Sequence, residues 1–161
     1  MPDPIRFRDD GRTIHDFVAQ VQVRCPRCQQ QALVRPISPP QPESPPERPA
    51  WSTPRRLTCA GCALVRERSA DTRTLGIPLD PYFGLPLWFS TTFRGHALWA
   101  YNSEHLEVLD NFVRATLRER FDQGQIRPMS MIEKLPGWFG SSANRTELLK
   151  AIAGLRSDQP R

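Results

Sequence analysis

The sequence has no long run of apolar residues, and this excludes a membrane-spanning helix. Its most apolar stretch, 83–89, is interrupted by Gly84 and Pro86, whereas a spanning helix needs about 20 consecutive apolar residues. The first ten residues also lack the apolar core of a secretory signal. We therefore expect a cytoplasmic protein with no membrane partner, whose cysteines are reduced thiols or metal ligands.

Lysine is scarce, and arginine carries almost all of the basic charge. Only Lys134 and Lys150 accompany 20 arginines, and with 17 acidic residues the formal charge is +5. Such a bias often reflects a GC-rich genome, so it does not by itself indicate nucleic-acid binding. The charge is spread as +4 over 1–74, −2 over 75–125 and +3 over 126–161. No segment is a basic block that would grip a phosphate backbone alone.

Catalytic motifs are also missing from the sequence. There is no Gly-rich phosphate loop, His-Glu-x-x-His pair or nucleophile elbow. The only histidines are His15, His96 and His105, and their spacing implies no Ser or Cys partner for a catalytic base. We therefore expect a protein without enzymatic activity and without a small-molecule substrate.

The four cysteines form two pairs with two intervening residues each. Cys25 and Cys28 make the first pair, and Cys59 and Cys62 make the second. Each spacing lets a tight turn aim two sulfurs at one point, and two such turns supply the tetrahedral thiolate set of a closed structural zinc site. The sequence predicts one structural zinc ion bound by these four residues.

Three other uses of paired cysteines fit the sequence less well. A redox dithiol is disfavoured by the second pair and by the lack of a thioredoxin-like pattern. A zinc deaminase would need His-x-Glu, whereas His15 is followed by Asp16 and Phe17. A rubredoxin-like iron site fits the spacing, although neither pair is followed by the glycine usual in those turns. Iron therefore stays open as the alternative metal.

The flanks of both pairs are typical of strands, which predicts a zinc ribbon over 1–74. Alternating residues over 17–24, and the stretches 32–34, 56–58 and 63–66, form the predicted strands. Between the pairs, the loop 36–54 contains eight prolines. One shared ion requires this loop to double back on itself. We expect a solvated excursion with Trp51 packing back onto the ribbon; the alternative is a polyproline ligand for another domain.

Residues 75–161 predict a β-hairpin and helices packed on the ribbon. A two-residue turn at Arg94-Gly95 would set Ser90 opposite Trp99, although Arg-Gly is not a preferred hairpin turn. A helix is expected from Asn102 or Ser103 to Gly124, a short helical turn over 132–135, and a final helix starting within 141–144. The fold class is thus a small metal-binding α+β protein: a four-cysteine antiparallel ribbon, a hairpin and two to three C-terminal helices.

The predicted helices each have an apolar face. The first would bury Leu106, Leu109, Phe112, Val113, Leu117 and Phe121 and expose Glu104, Glu107, Asn111, Arg114 and Arg118. The last would bury Leu148, Leu149, Ile152 and Leu155. The aromatic residues Trp88, Phe89, Trp99, Tyr101, Trp138 and Phe139 are interpreted as core rather than as a base-stacking platform.

Several short motifs resemble a known family. They are 80–88 (DPYFGLPLW), 98–102 (LWAYN), 105–106 (HL), 117–120 (LRER), 135–138 (LPGW) and 144–145 (NR). Together with the cysteine pairs, they resemble uncharacterised bacterial proteins said to carry a TFIIB-type zinc ribbon, over about 21–155. The resemblance implies zinc binding and no established activity. Some relatives carry a cysteine before the glycine that stands here as Gly95, and this chain has Arg94 there.

A macromolecular partner is the expected function. The arginines nearest the cysteines are the candidate phosphate contacts: Arg24, Arg27, Arg55, Arg56, Arg66 and Arg68. They favour nucleic acid, or a transcription or replication complex, as the partner. The alternative is an adaptor or neutralising, immunity-type protein that binds one protein partner and in which zinc is purely structural.

Overall fold

The structure is a computed structural model that describes residues 3–37, 52–69, 75–120, 124 and 126–157. The described chain is a mixed α+β fold with the four cysteines close together and with antiparallel sheets. Within it, no helix is both long enough and apolar enough to cross a membrane.

The two cysteine pairs lie in the turns at one end of a four-stranded antiparallel sheet. Its strands are β2 (Val21–Arg24), β3 (Gln31–Pro36), β4 (Arg55–Thr58) and β5 (Val65–Arg68), in that spatial order. Alternate side chains turn to one face, so Val21, Val34 and Leu57 are fully buried there. The first predicted strand was too long, because the chain forms a 3-10 turn at Ile14–Phe17 instead.

The two described ends of the proline-rich loop lie next to each other, as a shared metal centre requires. The backbone N–H of Ile37 donates to the carbonyl of Pro54 over 3.0 Å, and Pro36 pairs with Arg55 across β3 and β4. Both ends of the loop therefore lie at the same end of the β3–β4 ladder. The expectations of a polyproline helix and of packing by Trp51 lie outside the described residues.

The predicted hairpin is confirmed in position and register. It consists of β6 (Phe89–Phe93) and β7 (His96–Ala100), and Ser90 pairs with Trp99. Arg94 and Gly95 both have positive φ, 46° and 81°, which is the geometry of a type I′ turn. The Arg94 guanidinium donates to Asn144 Oδ1 over 2.7 Å and pairs with Glu147. These contacts hold a non-glycine residue in a conformation that glycine or asparagine usually adopts.

The first long helix, α1 (Ser103–Arg114), begins as predicted but ends ten residues early. Asn102 caps it by accepting the backbone N–H of His105 over 2.8 Å. The expected end at Gly124 is wrong, because the chain leaves the helix at Ala115 and forms β8 (Leu117–Glu119). This strand pairs in parallel with β1 (Arg6–Arg8). Leu117 is therefore a strand residue, 39% exposed, and Arg118 is also on that strand.

The remaining helices cover the hairpin. A 3-10 turn at Ile132–Lys134 and a short helix α2 (Gly137–Gly140) precede α3 (Arg145–Ser157). Within α3, Leu148, Ile152 and Leu155 are buried as predicted, whereas Leu149 is only half-buried. Helix α3 packs on β6 and α1 packs on β7, which encloses the hairpin face that carries Phe89 and Leu98.

The edge of β2 that does not pair with β3 forms hydrogen bonds to the second half of the chain. Gln22 donates its backbone N–H to Tyr101 O over 2.7 Å and accepts from Trp88 N over 2.9 Å. Arg24 N donates to Pro86 O over 2.9 Å. One continuous hydrophobic core runs from the strands beside the cysteines to α3.

A buried arginine sits inside this junction. Arg55 on β4 is fully buried, donates to Val18 O over 2.7 Å, and lies 4.1 Å from the centre of the Tyr82 ring. Burial lowers the pKa of Arg55, while the nearby Tyr82 and Asp80 oppose this shift. Burial raises the pKa of Asp80, and hydrogen bonds from Tyr82 N and Phe83 N together with the Arg55 charge oppose the rise. The cation and the carboxylate thus compensate each other in the core.

Replacing Arg55 should therefore destabilise the fold far more than replacing its neighbour Arg56. In Arg55→Met, Val18 O loses a donor and Asp80 loses its countercharge, so we expect a loss of about 3 kcal/mol or more in the free energy of unfolding. In Arg56→Met only the exposed pair with Glu67 is lost, which contributes about 1 kcal/mol or less. Urea denaturation of both variants measures the difference, and equal losses would contradict the role given to Arg55.

His105 should make stability depend on pH. Burial, helped by the charge of Arg12, lowers the pKa of His105 to about 3, whereas an unfolded histidine titrates near about 6.5. Below that pH the unfolded chain binds a proton that the folded chain excludes. The free energy of unfolding should then fall by up to about 1.4 kcal/mol per pH unit.

His105→Asn removes this titration while keeping a side-chain acceptor at that position. The stability difference between the native protein and the variant should shrink from about pH 6 to about pH 4. Urea denaturation across this range measures it. A difference that does not change with pH would show that His105 is not held neutral.

Candidate metal centre

The two cysteine pairs meet at one point. The sulfurs of Cys25 and Cys62 are 3.6 Å apart, those of Cys28 and Cys59 are 3.5 Å apart, and all four lie within 4.8 Å of one another. A disulfide needs a separation of about 2.0 Å, so the thiols are free. This arrangement could hold a metal ion, as the spacing of the pairs predicted.

The two cysteine turns have the same backbone form. Cys25 N donates to Gln30 O over 2.8 Å, and Cys59 N donates to Leu64 O over 2.9 Å. The residue after each second cysteine is left-handed, with φ of 63° at Gln29 and 57° at Ala63. The chain therefore adopts the turn in which glycine is usual although it has no glycine at either position.

The turns rest on the sheet, so that the cysteines differ in burial. Cys25 and Cys59, the first residue of each pair, are buried at the ends of β2 and β4, whereas Cys28 and Cys62 are half-buried. Leu64 is buried in the same hydrophobic core. The buried side of the centre excludes water and its outer side remains partly open.

Without a cation, Cys25 and Cys28 do not ionise equally. Burial raises the pKa of Cys25, but hydrogen bonds from Cys28 N and Arg27 N, and from the thiols of Cys59 and Cys62, lower it to about 6. For Cys28, the backbone N–H of Gln30 lowers the pKa, but burial and the other thiols raise it to about 12. The cluster accepts a first negative charge easily and resists further ones. A bound cation would remove that resistance.

The sheet places the candidate arginines on different surfaces. We define the outer face of the sheet by Arg24, Arg35, Arg56, Thr58 and Val65, which the strand register aligns on one side. On this face all three arginines are exposed, and the Arg24 guanidinium lies 5.0 Å from the centre of the Trp88 ring.

The other candidates lie elsewhere. Arg66 and Arg68 are on β5 with opposite orientation to the outer face, and Arg27 is exposed in the first cysteine turn. Arg55 is fully buried, so including it among the phosphate contacts was wrong. A buried arginine in a strand can be distinguished from an exposed one only once the strand register is known.

Sequence reasoning also missed two features. Arg35 belongs to the outer face, with its guanidinium donating to Gln20 Oε1 over 3.1 Å, but it stands seven residues after Cys28, one further than any of the arginines assigned to the cysteine pairs. His105 is buried, with Nδ1 accepting the backbone N–H of Tyr101 over 3.1 Å. Its position one turn into α1, after the Asn102 cap, is the signal that could have indicated this.

No family model, curated protein or solved structure matches the chain. The geometry of the four cysteines and of the arginines around them is therefore the basis for the functional argument. The likeness to TFIIB-type zinc-ribbon proteins stays a prediction from the short motifs.

Metal binding predicts a defined stoichiometry. The purified protein should contain about one metal ion per chain, measured by mass spectrometry of the metal. Cys59→Ser should lose most of it, since the serine hydroxyl does not ionise to replace the thiolate at neutral pH. Ser69→Ala, on an exposed residue just beyond β5, serves as a control. An unchanged metal content in Cys59→Ser would contradict the four-cysteine site.

Proposed function

We propose that the protein is a non-enzymatic zinc-ribbon protein that binds nucleic acid, or a transcription or replication complex, through the outer face of its four-stranded sheet. Zinc is held by Cys25, Cys28, Cys59 and Cys62 and is structural. The observation that carries the proposal is the alignment of three exposed arginines on the outer face, next to the cysteine turns.

The sulfur geometry supports zinc. A tetrahedral ion with zinc–sulfur distances of about 2.3 Å has sulfur–sulfur edges of about 3.8 Å. The observed separations of 3.5 and 3.6 Å are close to that edge. Four thiolate ligands leave no open position for a water molecule, so the ion stabilises the turns rather than activating a nucleophile.

The outer face also offers apolar contacts between its charges. Val65 is 59% exposed and lies beside Thr58, with Arg56 one row along the ladder. A surface that combines guanidinium groups with an exposed aliphatic side chain suits a phosphate backbone and the sugars attached to it. Arg56 is partly neutralised by Glu67, so Arg24 and Arg35 are the principal phosphate contacts on this face.

The negative charge of the metal centre opposes the attraction between the protein and phosphate groups. Four thiolates and one divalent ion together carry a charge of about −2, which lowers the net charge of +5 counted from the sequence to about +3. Binding must therefore come from the local arrangement of arginines and not from the overall charge. We expect moderate affinity that is sensitive to salt.

Salt titration tests the proposal. If about four phosphates are contacted, the affinity of the zinc-loaded protein for a single- or double-stranded oligonucleotide should fall about 100-fold between roughly 50 and 200 mM salt. Fluorescence anisotropy with labelled DNA and RNA measures this. Arg24→Gln combined with Arg35→Gln should weaken binding and reduce the salt slope by about two, while Arg156→Gln on α3 should change neither.

The same measurements separate the alternative function. If neither DNA nor RNA binds at about 50 mM salt and the zinc-loaded protein co-purifies with one defined protein from its own cell, the nucleic-acid proposal is wrong. The adaptor or neutralising function would then be favoured, with zinc purely structural. Binding that survives in the double variant with an unchanged salt slope would instead show that the outer face is not the contact surface.

A further inference from the structure

A pocket of about 350 Å³ opens among the hairpin, the 3-10 turn at Ile132–Lys134 and α2, away from the cysteines. Its described walls are mainly apolar and aromatic, with Trp99, Trp138, Phe139 and Leu109 among them. Pockets that bind small molecules have this size and character, with a few polar groups that fix the ligand. Here those groups are His105 and Lys134.

His105 supplies an unused donor to the pocket. Its Nδ1 accepts the backbone N–H of Tyr101, so in the neutral ring the proton is on Nε2. In the described part of the chain, no residue accepts a hydrogen bond from that N–H. His105 as a residue is only 3% exposed. Its Nε2 is nevertheless not fully enclosed, since it is not among the described buried polar atoms that lack a partner. It faces open space, and the pocket is the space that His105 lines.

The ring is held rigidly in this position. It stacks on Phe17 with 4.9 Å between ring centres and meets Trp99 edge-on at 5.7 Å. Burial lowers its pKa to about 3, and the charge of Arg12 adds to this effect. At neutral pH the pocket therefore contains a fixed neutral donor.

Lys134 gives the pocket its charge preference. It is exposed at the pocket wall, and among the described lining residues there is no carboxylate. No described acidic side chain pairs with its ammonium group. A ligand that contains a flat apolar body and an anionic group would use the aromatic walls, the donor and the cation together.

We propose that this pocket binds a small aromatic carboxylic acid. The ring of the ligand packs against Trp99 and Trp138, and its carboxylate accepts from His105 Nε2–H and faces Lys134. Binding of this ligand is independent of the zinc-ribbon function, since it uses neither the cysteines nor the outer face. It also adds a small-molecule ligand that the sequence did not predict.

Calorimetric titration of the full zinc-loaded chain with 2-naphthylacetate tests the proposal. Saturable one-to-one binding is expected, and 2-(2-naphthyl)ethanol, which has the same ring without the charge, should bind more weakly. Lys134→Met should weaken binding of the acid about 2- to 5-fold and leave binding of the alcohol unchanged. The chain's other lysine provides the matched control, because Lys150→Met on α3 should bind the acid normally.

A second pair of variants tests the location. Ala97 lines the pocket and is exposed, so Ala97→Phe should fill part of the space and reduce affinity more than about 10-fold. Ala153→Phe, on the exposed side of α3, should have no effect. Normal binding by Ala97→Phe would overturn the site.

Nuclear magnetic resonance of the histidines provides a readout that does not depend on a variant. In protein labelled with ¹⁵N-histidine, the acid should shift the His105 Nε2–H signal downfield and slow its exchange with water. His15, which is exposed and does not line the pocket, is the internal reference. No saturable heat up to the solubility limit of the probe, or an unchanged His105 signal at saturation, would overturn the proposal.

Discussion

The pairing of β3 with β4 is the constraint on which the rest of the structure depends. The two cysteine pairs are separated by 30 residues of chain, and only this ladder brings them within 4.8 Å of each other. The ladder also brings the two described ends of the proline-rich loop together, places Arg35 beside Arg56, and buries Arg55 against Tyr82. A slip of one residue in this register would exchange the two faces of β4, exposing Leu57 and burying Arg56.

The junction between the sheet and the hairpin joins the two halves of the described chain. Backbone hydrogen bonds from β2 reach Pro86, Trp88 and Tyr101, and the side chain of Asn102 reaches back to Phe17 O over 2.8 Å. Arg55 and Asp80 are buried in the same region, where each offsets the cost of the other's desolvation. The strands that carry the cysteine turns are consequently connected to the helices by hydrogen bonds and by the shared hydrophobic core.

Sequence patterns predicted the parts of the fold that local chemistry determines. The cysteine spacing indicated the shared centre, and the two-residue turn gave the hairpin register because strand pairing is counted outward from the turn. The end of α1 was missed because Leu117 continues the helical apolar period, whereas the actual partner of that segment is β1, more than 100 residues earlier in the chain. Burial of Arg55 was also not predictable, since it depends on which residues the folded chain brings from a distance.

The left-handed residues that follow the two cysteine pairs have a kinetic consequence. Gln29 and Ala63 occupy a conformation that costs a residue with a Cβ atom about 1 kcal/mol or more. A metal ion that ties the sulfurs together would hold both residues in this conformation, and its departure would free both turns to relax. The strain that both turns lose on relaxing would then help the ion to depart, which favours faster exchange of the metal than the same turns would show with glycine at these two positions.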